Sequence, residues 1–184
     1  MIGTSNPSFD EDVERFIRSN FKTSATILDV GPGAGKYGRM LHDYPNKDCI
    51  EANPKCFEMY PLREIYNNCW EGTFEDFELP SYDYDLIIMG DVLEHVEVSD
   101  AQRFLYERVA RKSAVLIKVP LMAPRGPSFG THLEAHPQGD LTVENFLERY
   151  PGSIYLFGDT TEGDKRSQGD LRIATFYLPP IHIQ

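Results

Sequence analysis

Between Thr26 and Gly38 the chain reads Thr-Ile-Leu-Asp-Val-Gly-Pro-Gly-Ala-Gly-Lys-Tyr-Gly. An apolar run breaks there into glycines and a helical pattern follows, so the stretch is a strand, a tight turn and a helix start. Glycine suits such a turn because it reaches positive φ without strain and, lacking Cβ, lets a ligand approach the backbone. Two glycine-loop spacings are tested first. The phosphate loop G-x-x-x-x-G-K-[ST] fails, since Gly31 to Gly35-Lys36 is one residue short and Tyr37 stands where the magnesium-binding hydroxyl belongs. The dinucleotide pattern G-x-G-x-x-G occurs at Gly33, Gly35 and Gly38, but it begins two residues late relative to a strand ending at Val30.

From Asp29 the loop reads acid-x-Gly-x-Gly-x-Gly, through Gly31, Gly33 and Gly35. Here the chain resembles the class I S-adenosylmethionine-dependent methyltransferases, and later segments extend the resemblance in order as far as about Leu178. Cys49 to Pro54 reads as a second short strand ending in Glu51, 16 residues after Gly35. A carboxylate so placed can accept hydrogen bonds from both hydroxyls of a ribose. Gly72-Thr73-Phe74-Glu75-Asp76-Phe77-Glu78-Leu79-Pro80 resembles the family's adenine-side motif, with Thr73 where an acid is common. That leaves Thr73, Glu75 or Asp76 as acceptors for the adenine amino group and Phe74 as an adenine contact. The resemblance implies that Asp29, Gly31, Gly33 and Gly35 surround the cofactor's methionine part and that Glu51, followed by Ala52, holds its ribose. Acidity near the loop also suits a cationic sulfonium, whereas a diphosphate would be repelled.

Asp85 to Gly90 is nearly continuously apolar, as a parallel strand buried on both faces should be, and it leads into Asp91-Val92-Leu93-Glu94-His95-Val96. In a doubly wound sheet the ligand lies at the carboxyl ends of the strands where winding reverses, in this family between the first and fourth strands. Asp91 through His95 should therefore face the cofactor's reactive end. Many small-molecule methyltransferases of this class share the Asp-Val-Leu-Glu-His string. Methyl transfer depends chiefly on in-line positioning. His95, beside Glu94, is the candidate base for an acceptor that starts protonated, or else a residue that orders the loop. The string with a later histidine also resembles the metal site of ubiquinone-pathway O-methyltransferases and small-RNA 3′-terminal 2′-O-methyltransferases, which have Glu where Asp91 stands. In that reading Glu94, His95 and His136 are ligands for magnesium or another divalent ion. The shorter Asp91, and the many relatives with this string that need no metal, favour an enzyme without one.

The rest of the chain frames this site. Ser8 and Glu11 form a capping-box pattern ahead of Phe9, Val13, Phe16 and Ile17, predicting a helix over about 8–20. A helix over Lys55–Tyr66 is interrupted by Pro61. A third strand is expected near Asn67–Glu71, a helix capped by Ser99 and Gln102 running to about Ala110, and a fifth strand over Ala114–Val119 closed by Pro120. Leu121 to Asp140 is long for a connection and carries His132, Glu134 and His136. Thr142 caps a last helix to about Tyr150, and Ser153–Phe157 with Leu171–Leu178 form an antiparallel pair around an exposed loop.

The expected architecture is α/β: one domain over 1–184, with a core over about 25–178. Its doubly wound, mostly parallel seven-stranded Rossmann-like sheet ends in an antiparallel hairpin and carries helices on both faces. A net charge of −11 argues against a broad nucleic-acid surface, and no apolar run approaches the roughly 18 residues of a membrane span. Cys49, Cys56 and Cys69 form no C-x-x-C pair, and no signal peptide is read at the N-terminus, so a reducing cytoplasm is the expected setting. The expected activity is methyl transfer from S-adenosyl-L-methionine to oxygen or nitrogen of a small-molecule acceptor, by a monomer or homodimer. A non-catalytic cofactor-binding protein is the alternative. A nicotinamide oxidoreductase is disfavoured by the register of the glycines and by the lack of length for a substrate domain.

Overall fold

A computed structural model of the chain describes residues 7–74, 83–109, 113–123, 135–158 and 172–180. Seven strands form one sheet: β1 Thr26–Val30, β2 Asn46–Glu51, β3 Cys69–Glu71, β4 Leu86–Gly90, β5 Ala114–Leu121, β6 Ile154–Gly158 and β7 Arg172–Leu178, in the order β3-β2-β1-β4-β5-β7-β6. All neighbours are parallel except β7, which runs antiparallel to both β5 and β6. From β1 the chain winds outward through β2 and β3, then returns to start β4 on β1's other edge. The winding therefore reverses between β1 and β4, where the carboxyl ends leave a crevice.

Alternation along the central strands supplies two apolar faces. Leu28, Val30, Ile87, Met89, Val115, Ile117 and Val119 belong to one core. It is covered by α5 Val98–Arg103 with its π-helical continuation Phe104–Val109, and by α6 Val143–Arg149. Within it Phe146 stacks on Phe176 at 3.7 Å between ring centroids. Ile27, Leu86, Ile88, Ala114 and Leu116 point the other way, onto Val13 and Ile17 of α1 Asp10–Asn20 and onto Tyr37 of α2 Lys36–Met40. A smaller cluster under α3 Pro54–Met59 and α4 Leu62–Ile65 joins Cys56, Leu62 and Tyr66 to Cys49 of β2. Among the described residues no helix is long and apolar enough to cross a membrane.

Several local expectations shift. Pro61 splits the 55–66 segment into α3 and α4, as the missing amide requires. The N-cap of α1 is Phe9, at φ +62°, and not Ser8: Asp10 N–H donates to Pro7 O and the helix begins at Asp10. Ser99 likewise lies inside the first turn of α5, because Glu97 supplies the carbonyl that accepts from Asp100 and Ala101. Proline does not close β5. Pairing with β4 ends at Lys118, so the amide that Pro120 lacks would have pointed to an edge already free, while its pairing with Ile173 of β7 continues to Leu121. Thr142 does cap α6, in a capping box with Asn145.

Candidate functional site

The turn after β1 is built on alternating left-handed glycines, Gly31 at φ +67°, Gly33 at +53° and Gly35 at +79°. Gly31 N–H donates to Ile50 O at 2.8 Å, and Gly35 N–H closes onto Pro32 O at 2.7 Å. A Cβ on Gly31 would stand 2.6 Å from Val92 Cγ2, so only glycine lets this loop lie against the loop after β4. Glu51, at the end of β2, reaches into the turn. Its Oε2 accepts from Gly33 N–H at 3.0 Å and its Oε1 from Asn53 N–H at 2.8 Å. Burial raises its pKa, and the backbone donors at Asn53, Gly33 and Ala52 oppose that rise.

Asp29 is only 1% exposed. Its Oδ2 accepts from Tyr66 Oη at 2.5 Å, Tyr66 Oη in turn accepts from Gly38 N–H at 3.1 Å, and Oδ1 is buried without a hydrogen-bond partner among the described residues. Burial pushes the Asp29 carboxyl up to about 7, against the opposing effect of the Tyr66 hydrogen bond. It is thus a buried bracket joining β1 to α4 and α2 under the loop. Tyr66 has no motif of its own. The segment that begins at Gly72 is tied to the same place, since Gly72 N–H donates to Glu51 O at 2.9 Å. Thr73 follows, and the Phe74 ring is buried against Phe104 at 4.5 Å. Glu75 and Asp76 lie outside the described residues, as do His132 and Glu134.

Across the crevice, Asp91 takes φ +56° and its N–H donates to Lys118 O at 2.7 Å, turning the chain sharply at the tip of β4. Positive φ is uncommon for a residue with Cβ, though aspartate tolerates it better than most. A single 3₁₀ turn, Leu93–His95, then presents Glu94 and His95. Glu94 is 2% exposed; Oε1 lies 3.8 Å from His95 Nε2, and Oε2 has no hydrogen-bond partner among the described residues. Burial, with Asp91 nearby, raises its pKa well above the ordinary carboxyl value. His95 Nδ1 lies 3.1 Å from Ala135 O. A carbonyl can only accept, so Nδ1 carries the proton and, in the neutral ring that burial favours, Nε2 offers its lone pair on the Glu94 side.

His136 completes the group, with its ring 4.6 Å from that of His95, and one ligand atom from each of Glu94, His95 and His136 lies within 4.8 Å of the others. One carboxylate oxygen and two imidazoles suit a divalent transition ion or magnesium. Ligands on a common ion at about 2.1 Å sit roughly 3–4 Å apart, so a small contraction would close the set. Gln138 makes this convergence: its Nε2 donates at 2.9 Å to both Leu93 O and Val96 O, its N–H to Glu94 O at 3.3 Å, and its Oε1 accepts from Tyr150 Oη at 2.8 Å. Nothing in the sequence marks Gln138 as different from a surface glutamine. Its signal is only its place, two residues after His136.

No family model matches the chain, and no curated protein matches it. Solved structures do. A TehB-like SAM-dependent methyltransferase from Corynebacterium glutamicum is 17% identical, with 89% of this chain and 85% of that chain covered and a TM-score of 0.57. The methyltransferase domain of bacterial CtHen1 is 15% identical over 94% and 99%, with a TM-score of 0.61. A 1,6-didemethyltoxoflavin-N1-methyltransferase from Burkholderia thailandensis, solved with bound 1,6-didemethyltoxoflavin and S-adenosylhomocysteine, is 12% identical over 94% and 78%, with a TM-score of 0.64. The chain therefore has the Rossmann-like fold of SAM-dependent methyltransferases.

Proposed function

We propose that this protein is a methyltransferase that uses S-adenosyl-L-methionine to methylate oxygen or nitrogen of a small-molecule acceptor in the cytoplasm. The observation that carries the reading is the glycine turn clasped by Glu51 at the β1/β4 switch point, facing a second loop that presents a buried acid and a neutral imidazole. In this reading Gly31, Gly33 and Gly35 line the methionine part while Asp29 braces the turn from below. Glu51 and Ala52 meet the ribose, Thr73 and Phe74 border the adenine, and Asp91 faces the amino-acid end. Glu51 accepts from the Gly33 and Asn53 amides through different oxygens, and its carboxylate keeps lone-pair capacity for a ribose hydroxyl.

The cofactor supplies an electrophilic methyl on a sulfonium. The acceptor's lone pair forms the new bond to that carbon as the carbon–sulfur bond breaks and its electron pair stays on sulfur. The protein's task is to align acceptor and methyl and exclude water. Where the acceptor is a hydroxyl, His95 Nε2 takes its proton, because Ala135 O holds the ring in the required tautomer. Glu94 lies on that side of the ring. Calorimetry with S-adenosylhomocysteine tests the pocket. A mass-spectrometric screen with isotopically labelled methyl donor then tests turnover: binding with no labelled product across a broad extract would favour the non-catalytic alternative, and no binding at all would overturn the reading.

A second reading rests on the convergence of Glu94, His95 and His136, a set that also offers a divalent-cation site beside the acceptor. Such an ion would lower the pKa of an acceptor hydroxyl. Manganese titration followed by electron paramagnetic resonance decides it. Saturable binding lost in His136→Ala supports the ion, and equal binding by both proteins refutes it.

A further inference from the structure

One charged cluster on the other side of the crevice is unused by this scheme. Along β5 the residues facing α1 are Ala114, Leu116 and then Lys118, so a lysine stands where alternation calls for an apolar side chain, and it is 1% exposed. An ammonium in such a place is costly without an anion. Lys118 Nζ donates to Asp10 Oδ1 at 2.8 Å, and Lys36 Nζ donates to the same oxygen at 2.9 Å. Two cations from distant segments thus converge on one carboxylate oxygen. Their positions are those of the crevice itself: Lys36 directly follows Gly35, and Lys118 O anchors Asp91 N–H. Tyr37, next to Lys36, lays its ring over Gly90 at the tip of β4, where a Cβ would lie 2.3 Å from the ring. The carboxylate in this cradle belongs to the first residue of α1, and its side chain is 22% exposed.

We propose that Lys36 and Lys118 form a carboxylate subsite for the amino-acid end of the cofactor, and that Asp10 fills this subsite until the cofactor's own carboxylate takes its place. The inference rests on the cofactor reading above and extends it. The chemistry is like for like: two ammonium groups that hold one carboxylate oxygen within hydrogen-bond distance can hold another. The exchange costs the anchor at the start of α1, so part of the binding energy goes into freeing that end of the helix, and removing the internal carboxylate favours the ligand.

The test compares S-adenosylhomocysteine with its decarboxylated analogue, which keeps the adenosyl group, the thioether and the amine. Dissociation constants are measured by calorimetry on the wild type and on Lys36→Met, Lys118→Met and Asp10→Asn. The wild type is expected to prefer the carboxylate form roughly tenfold or more, the scale of a charge-assisted hydrogen bond. Lys36→Met, at a partly exposed site, should cut that preference, Lys118→Met should cut it as well if the variant folds, and Asp10→Asn should enlarge it. An unchanged preference in Lys36→Met would remove the lysines from the subsite. A smaller preference in Asp10→Asn would show that Asp10 positions the lysines and does not compete. Failure of the wild type to bind either ligand would overturn the cofactor reading together with this inference, whereas equal binding of both ligands would overturn this inference alone.

Discussion

The two loops that face each other across the β1/β4 crevice are built on opposite principles. The loop after β1 is held by its own backbone geometry and one neighbouring carboxylate: three left-handed glycines, with the Glu51 side chain closed onto the Gly33 and Asn53 amides. The loop after β4 is held by side chains from elsewhere, with Gln138 spanning Leu93 O and Val96 O and Tyr150 closing the amide's far end. The first keeps its shape through local geometry and suits an invariant ligand. The second leaves a buried acid with an oxygen that no described residue bonds beside an imidazole, which in the proposed function is where chemistry and acceptor choice lie. Perturbed carboxyls occur on both sides, but Asp29 is bracketed by a tyrosine hydroxyl while Glu94 Oε1 lies 3.8 Å from the His95 Nε2 nitrogen.

Four changes test that division, in order of their effect on cofactor affinity. Gly33→Val should abolish S-adenosylhomocysteine binding in calorimetry while circular dichroism stays native, because a β-branched residue cannot hold φ +53° without strain. A variant that binds normally would mean the loop is no cradle. Glu51→Ala should weaken binding by about 1.5–3 kcal/mol, the scale of hydrogen bonds to a charged group. Unchanged affinity in a folded variant would take Glu51 out of the site.

Asp29→Asn should affect affinity less and show itself in the pH dependence of unfolding. The native carboxyl titrates near 7 against an ordinary 3.8, so between these values the folded chain keeps a proton that the unfolded chain gives up. The stability it contributes is complete below the unfolded value, falls as pH rises through that window and is gone above about 7. Urea titrations from pH 4 to 8 should therefore slope less steeply in the variant, and identical slopes would show that Asp29 does not titrate there. Gln138→Met belongs wholly to the other loop. It should leave cofactor affinity alone yet cost about 1–3 kcal/mol in urea unfolding, since Leu93 O, Val96 O and Tyr150 Oη lose a buried partner. A large loss of cofactor affinity would show that the two loops are one unit.

Much of the first loop was legible in the amino-acid order, because its determinants are local. An apolar run, glycines at every second position and an acid at the next strand's end specify a strand, a turn and a carboxylate beside it within about one βαβ unit, while the closure of Glu51 onto the Gly33 and Asn53 amides emerged with the structure. The nearly continuous apolar run over Asp85–Gly90 likewise announced a parallel strand buried on both faces, and Thr142 the start of α6. Capping patterns at Ser8 and Ser99 misled, because the chain places the N-caps at Phe9 and Glu97. Only tertiary structure decided the rest. Tyr66 meets Asp29 across 37 positions, Gln138 meets Leu93 across 45 and Lys118 meets Asp10 across 108. Such side chains look unremarkable in sequence because neither partner's neighbours encode the other. Their roles appear only when the sheet brings the segments together and buries polar groups that must then find one another.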